Sequence, residues 1–192
     1  MNDYRQPEFY RFNEDSLKLV NWLAARNPDC THLLDLGAGS GILGIELANR
    51  LNTPHLTLVE AQEDFIPFIE INIREQLKVP AAVELIHQTF GEWKPKFQFD
   101  LIVSNPPYYL KGHGESAPDV RKNIARSFVL DDWSVLLKLV RKVLTPVGKA
   151  IFVIKNDQRI LKEVQNNLNG LGLIVHEVEK LLMLELSSIE YK

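Results

Sequence analysis

The chain has 192 residues, 45% of them hydrophobic, 24% charged and 9% aromatic, with a formal net charge of −3. This ordinary globular composition excludes collagen-like, coiled-coil and disordered classes, and the length suits one domain with a real core. The net charge gives no global field for nucleic acid, and the single cysteine, Cys30, excludes a disulfide framework or a cysteine-based metal site within the chain.

The polar start, MNDYRQPEFYRFNED, lacks the apolar core of a signal peptide. No apolar run approaches the ~18 residues of a membrane span, so a cytoplasmic location without membrane contact is expected. Residues 16–28 read as a helix capped by Asp15 or Ser16 and stopped before Pro28. Residues 31–36 (THLLDL) are a buried strand ending in glycines, and 41–51 carry helical spacing through Ile42, Ile45, Leu47 and Ala48. A strand follows at 55–60, then a helix at 64–76 with Asp64 as N-cap and Pro67 in its first turn. Residues 82–87 and 99–104 are further strands.

Beyond a polar loop at 111–126, Trp133, Leu136, Leu137, Val140, Val143 and Leu144 give the helix 132–144 one apolar face. The turn Thr145-Pro146-Val147-Gly148 ends it. A strand at 149–155, a helix at 157–169 closed by Gly170 and Gly172, and strands near 173–178 and 182–190 complete the chain. The alternation implies an α/β fold, a mostly parallel sheet with helices on both faces and an antiparallel pair of strands at the end. The ligand crevice should lie at the carboxyl ends of the strands, beside the first.

The segment Asp35-Leu36-Gly37-Ala38-Gly39-Ser40-Gly41-Ile42-Leu43-Gly44 can be read in two ways. Gly39, Gly41 and Gly44 fit the G-x-G-x-x-G dinucleotide pattern, whereas Asp35 with Gly37, Gly39 and Gly41 fits the D-x-G-x-G-x-G turn of S-adenosylmethionine (SAM) enzymes. Both need a sharp turn off a strand and a ligand touching backbone where a Cβ would sit. A pyrophosphate wants the N–H groups of a helix N-terminus. The amino and carboxylate ends of SAM want a carboxylate and backbone groups of both polarities, and the turn alone does not choose. Glu60, with Ala61 after it, ends the second strand about 20 residues on, where an acid commonly holds ribose hydroxyls.

Asn105-Pro106-Pro107-Tyr108 follows the strand FDLIVS and is the most informative tetrapeptide in the chain. The prolines hold the backbone extended and restrict Asn105. The Asn105 side-chain oxygen and the Pro106 carbonyl can accept both hydrogens of an –NH₂ group, and Tyr108 offers a flat face to a planar substrate. Such acceptors favour a pyramidal nitrogen and offset the charge that grows as a conjugated amine attacks. A hydride-transfer enzyme has no use for this set, which moves the balance to SAM.

These residues resemble a class I SAM-dependent methyltransferase of the [DNS]-PP-[YFW] group, with a Rossmann-like seven-stranded sheet. Motif by motif the chain is most similar to the bacterial tRNA1(Val) (adenine(37)-N6)-methyltransferase family. Three stretches carry the resemblance: Tyr10 to Leu17, Leu34 to Gly41, and Ser104 to Tyr109 with Gly112, Arg121, Ala125 and Arg126. It implies SAM as cofactor, with no metal, held by Asp15, Ser16, Asp35, Gly37, Ala38, Gly39, Gly41, Glu60, Ala61 and Asn105. It places catalysis at Asn105, Pro106, Pro107 and Tyr108. Many members carry an acidic residue after the third strand. Here the stretch is His87-Gln88-Thr89-Phe90, so Thr89 takes that place as a hydrogen-bonding group and Phe90 packs on the adenine ring. The C-terminal part is short beside the family, which implies a reduced RNA surface.

The implied substrate is RNA, tRNA foremost, met by Tyr109, Lys111, Arg121, Lys122 and Arg126; Lys94 and Lys96 lie nearby in sequence. A monomer or weak homodimer over residues 1–192 is expected, with 1–29 contributing to the cofactor site and 111–126 acting as a mobile substrate loop. The alternatives are a protein N5-glutamine methyltransferase, whose amide poses the same –NH₂ problem, an rRNA guanine-N2 methyltransferase, and a non-catalytic binding module. His32, His55, His87 and His176, with Trp22, Trp93 and Trp133, read as structural, whereas His113 lies within the basic loop.

Overall fold

His32–Leu36, His55–Glu60 and Phe99–Ser104 are short, nearly unbroken apolar runs, the pattern of parallel strands covered on both faces. They form β1, β2 and β4 at the centre of a seven-stranded sheet of order β3-β2-β1-β4-β5-β7-β6. The structure is a computed structural model and describes residues 4–12, 14–106, 119–121, 123 and 132–188. The other elements are α1 (Glu14–Ala24), α2 (Ile42–Leu51), α3 (Ile66–Gln76), β3 (Ala82–His87), α4 (Trp133–Val143), β5 (Leu144–Lys155), α5 (Gln158–Asn166), β6 (Leu171–Val178) and β7 (Leu181–Ser188). The first five strands run parallel, and β7 pairs antiparallel with both β5 and β6. This is the mostly parallel α/β sheet with an antiparallel final pair expected from the alternation of strand and helix, and it has the seven strands that the resemblance implies.

Side chains alternate across the sheet. Leu33, Leu101, Val103, Ile151 and Val153 face the core built with α1, α2 and α3. Leu34, Leu36, Ile102, Ala150 and Phe152 face the core built with α4 and α5. Trp133 and Phe152 fill the second core with ring centroids 6.1 Å apart, and Trp93 packs on Phe99 at the same separation. Trp22 instead lies under Arg26 and beside His176, so none of the three tryptophans lines the cleft described below.

Several local expectations change. α1 begins at Glu14, so Asp15 and Ser16 sit in its first turn rather than at its cap, and its end is marked by Asn27 in the left-handed conformation. α3 has no side-chain cap: Glu63–Phe65 form a 3₁₀ turn that feeds the helix, and Asp64 lies within that turn. Thr145–Gly148 belongs to β5 rather than separating it from α4. Phe99 pairs with Leu144 and Leu101 with Lys149, so these residues make an irregularity opposite Asp100. Gly148 is required there, because a Cβ would stand 2.9 Å from the Phe99 carbonyl oxygen. Expected features at Pro107, Tyr108, Tyr109, Lys111, Lys122 and Arg126, most of the 111–126 loop, and the strand end at 189–190 lie outside the described residues.

Candidate active site

β1 and β4 are neighbours, yet the chain leaves β1 toward β2 and returns on the other side to β4. That reversal opens a crevice at the carboxyl ends of the two strands. The buried Ser104 hydroxyl donates to the Leu36 carbonyl at 2.7 Å and ties the strand ends together, so the residues that follow each strand start from fixed positions.

After β1 the backbone turns through Gly37, Gly39 and Gly41 at φ of 71°, 55° and 79°. All three lie in the left-handed region, where a side chain is strained. The N–H groups of Gly37 and Ala38 both donate to the Val59 carbonyl, at 2.9 and 3.0 Å, and hold the turn over β2. Gly44 serves differently. A Cβ there would stand 2.7 Å from a Leu58 methyl and 3.0 Å from Asp35, so its absence lets α2 pack closely on the strands. The two readings of the glycine pattern are thus different jobs of one segment: the alternate glycines shape the turn, and Gly44 seats the helix.

Asp35 and Glu60 support the turn from below. Asp35 is 1% exposed and accepts from the Gly44 N–H at 2.8 Å. Burial pushes its carboxyl up to about 7, against the opposing effect of that N–H. Glu60, 6% exposed, accepts from the Gly39 N–H at 2.7 Å through Oε2 and from the Gln62 N–H at 2.8 Å through Oε1. Burial raises its pKa too, while the backbone donors oppose the rise. Its neighbour Ala61 offers its carbonyl to His87 Nε2 at 3.1 Å, which gives that histidine a structural partner.

One cleft is lined by Tyr10, Phe12, Ser16, Asp35, Gly37, Ala38, Gly39, Ser40, Ile42, Leu43 and Asn105. The glycine turn, the first turn of α1 and the residue after β4 therefore meet around a single space. Asn105 Nδ2 donates to Ser16 Oγ at 2.9 Å. Pro106 is buried and does not line the cleft. Phe90 is near the turn, 3.6 Å from where a Gly37 Cβ would be. Thr89 is engaged elsewhere: its hydroxyl donates to Glu92 at 2.9 Å, and the Glu92 N–H donates back to it at 3.3 Å, a reciprocal cap of the turn after β3. Asp15 is half-buried on α1 and does not line the cleft.

The residues present fit SAM. The space where a Gly39 Cβ would lie has no protein atom within 4 Å, so a ligand can lie against its backbone. Around it stand the buried Asp35 carboxyl, backbone groups of both polarities and the apolar walls of Phe12, Ile42 and Leu43, while Glu60 does not line the cleft and holds the turn through the Gly39 N–H.

Arg121, expected on RNA, is bound within the protein. It contacts Asp119 at 2.7 Å and Asp64 at 3.4 Å, and its guanidinium lies 4.5 Å over the Phe9 ring. Lys94 and Lys96 precede β4, while Asn105 follows it, so the strand's length of about 16 Å separates them from the site despite their closeness in sequence. Cys30 is also remote from the cleft, and burial pushes its thiol up to about 11. Among the described residues no group of three or more His, Cys, Asp or Glu is placed to hold a metal ion, and no helix is long and apolar enough to cross a membrane.

Sequence reasoning missed Asn72. It is fully buried on α3, accepts from the Arg5 N–H at 2.8 Å and donates to the carbonyls of Arg5 and Ser40 at 2.9 and 2.8 Å. One amide thereby joins the N-terminal segment to the glycine turn. Tyr10 and Phe12, the cleft walls that this segment supplies, were part of the resemblance but were not assigned a site role. Tyr10 is set by its edge contact with Phe65, at 5.9 Å.

The model of the methyltransferase small domain family matches residues 11–179, a span that includes the glycine turn, Glu60 and Asn105. The chain belongs to this family. Within it, the chain is 34% identical over 146 residues to a tRNA1(Val) (adenine(37)-N6)-methyltransferase of Tolumonas auensis, covering 73% of this chain and 57% of that protein. A protein of the same name from Pedobacter heparinus is 29% identical over 172 residues, covering 86% and 68%. The chain thus spans under 60% of the Tolumonas relative's length. Among solved structures, the Thermus thermophilus 16S rRNA N2 G1207 methyltransferase in complex with AdoMet and guanosine superposes with a TM-score of 0.68 at 17% identity, covering 93% of this chain and 44% of that one. The ribosomal protein L11 methylase of Lactobacillus delbrueckii gives 0.62 at 20% identity, covering 93% and 80%. At such identities these two structures speak for the fold of this methyltransferase small domain chain alone.

Proposed function

We propose that this chain is a SAM-dependent N-methyltransferase that acts on the exocyclic N6 amine of adenine in RNA, with tRNA as the substrate class. The observation that carries the reading is the placement of Asn105 and the Gly37–Gly41 turn on one cleft. The names of the curated relatives support the choice of adenine N6 and of tRNA.

In this reading Gly37, Ala38, Gly39, Gly41 and Glu60 hold SAM, with Phe90 against its flat end and Asp35 fixing the turn. Bound SAM supplies a transferable methyl group. Asn105 Oδ1 and the Pro106 carbonyl accept the two N6 hydrogens, which orients the amine and stabilises positive charge developing on nitrogen. Proline restricts the backbone at Asn105–Pro106, so the Pro106 carbonyl and the Cα of Asn105 are placed before substrate arrives. Tyr108 stacks on the base, and Tyr109, Lys111, Lys122 and Arg126 meet the RNA around it. An unpaired loop nucleotide is the favoured target, because it is already partly unstacked.

Incubation with methyl-labelled SAM and total small RNA, followed by nucleoside analysis, tests this. Label in N6-methyladenosine is the expected result, with a loss of ~10²-fold or more in rate for Asn105→Ala. Label in N2-methylguanosine or in protein glutamine would overturn it.

A further inference from the structure

An asparagine that receives an amine has to present its oxygen rather than its nitrogen. The two ends of a carboxamide have nearly the same shape and opposite polarity. In the proposed reaction Asn105 must meet an –NH₂ group with Oδ1. Turned about its χ2 bond, it would set Nδ2 against that group, donor against donor. Pro106 and the Ser104–Leu36 hydrogen bond hold the backbone here, but neither constrains this side-chain torsion.

We infer that Ser16 is a positioning residue for the orientation of the Asn105 amide. This deepens the function proposed above and rests on it. Ser16 Oγ lies 2.9 Å from Asn105 Nδ2 and accepts its hydrogen, across 89 residues of sequence. Ser16 is 6% exposed, so water does not readily replace the hydroxyl, and it shares the cleft with Asn105. Its own place is set by α1: Leu19, Val20 and Leu23, one turn and more along the helix, are buried in the core with β1 and β5. With Nδ2 drawn toward α1, Oδ1 points the other way about Cγ. The resemblance places Ser16 at the cofactor, and it does line the cleft with the glycine turn. The geometry further connects it to the group that receives the substrate amine. The first turn of α1 thus completes a site whose chemistry is carried by β4.

A cofactor ligand and a positioning residue lose different things when the hydroxyl is removed. Ser16→Ala should lower kcat about three- to tenfold, the worth of one neutral hydrogen bond. The Kd for SAM, measured by calorimetry, should stay within about twofold of the parent, and the melting temperature should fall by no more than about 2–4 °C. Ser16→Thr, which keeps the hydroxyl, should recover most of the rate. In an Asn105→Ala background Ser16→Ala should slow turnover no further, because the amide it orients is gone.

A Ser16→Ala variant with unchanged kcat, or one whose main defect is SAM affinity, would overturn the inference while leaving the function standing. So would equal additional slowing in the Asn105→Ala background. If Asn105→Ala itself turns over normally, the function proposed for the site fails, and the role of Ser16 with it. If Ser16→Ala does not fold, the Ser16→Thr enzyme decides: near-parent kcat and SAM affinity support the inference, and loss of SAM affinity alone overturns it.

Discussion

The backbone N–H of Gly44, in the first turn of α2, donates to the carboxylate of Asp35 on β1 at 2.8 Å, and both groups are buried. The acid is held at a helix N-terminus, where negative charge is favoured, and the helix is held at a distance that only glycine allows. Gly44→Ala tests the second half of this relationship. The new methyl would stand 2.7 Å from a Leu58 methyl and 3.0 Å from the Asp35 side chain. Leu58 is fully buried on β2 and has little room to retreat. The cost should be about 1–3 kcal/mol, the usual range for overpacking, despite alanine's better helix propensity. Urea unfolding would show the loss; an unchanged midpoint would mean that α2 is free to move off the sheet.

The first half of the relationship gives a pH dependence. Burial holds the Asp35 carboxyl at about 7 in the folded chain, well above its ordinary value of 3.8. Between these values the folded state keeps a proton that the unfolded state has lost. Folding stability from this group is therefore full below about 4 and falls as pH rises to about 7, after which the slope ends. Asp35→Asn retains an oxygen to accept from Gly44 and cannot ionise. The variant should lose the part of the stability decline that the parent shows over this range, read from urea midpoints at pH 5 and pH 7.5. An identical decline in both proteins would assign it to other groups.

The strands were the most legible part of the sequence. β2 and β4 begin and end where their apolar runs do, because a parallel strand buried on both faces leaves few positions for polar residues. The glycine turn and Asn105 were legible for a related reason: positive φ and proline-restricted backbone are written in residue type. What was hidden depends on contacts far apart in sequence. Asn72 looks like any polar residue on a helix until Arg5 and Ser40 are brought to it. Arg121 looks like a free cation until Asp64 and Phe9 approach. Thr145–Gly148 has the composition of a turn, but the pairing of Leu144 with Phe99 keeps it in a strand. Ser16 was found in a motif and its partner in another, and only the fold joins the two.

Glu60 supplies a third test. Each of its oxygens accepts from a backbone N–H, Gly39 on one side and Gln62 on the other. An amide has one oxygen, so Glu60→Gln would place an –NH₂ against one of those donors and lose the charge on the other bond. The glycine turn is then held from one side only. Hydrogen bonds to a charged group contribute about 1.5–3 kcal/mol, so SAM affinity should fall at least tenfold. Calorimetric titration measures this directly. Undiminished affinity would show that the turn keeps its shape without the carboxylate, and that Glu60 contributes nothing to the ligand.

Gly39→Ala separates the needs of the fold from those of the ligand. Gly39 has a φ of 55°, within the small left-handed region open to ordinary residues at a modest cost, and a Cβ added to it would meet no protein atom within 4 Å. The substitution should therefore cost only about 1 kcal/mol of stability, the strain of an L-residue in that conformation. Gly44→Ala, a few residues on, should cost the fold more. For SAM the order reverses. The side of Gly39 that lacks protein contacts lies on the cleft, and a methyl group there occupies the space in which the cofactor must approach the backbone. Gly39→Ala should fold, melt within a few degrees of the parent and bind SAM at least tenfold more weakly, the effect of replacing a close contact with a clash. Thermal melting and calorimetry on the same preparation give both halves. If Gly39→Ala binds SAM as the parent does, the cofactor does not lie against this turn, and the cleft between Gly39 and Asn105 must serve another ligand.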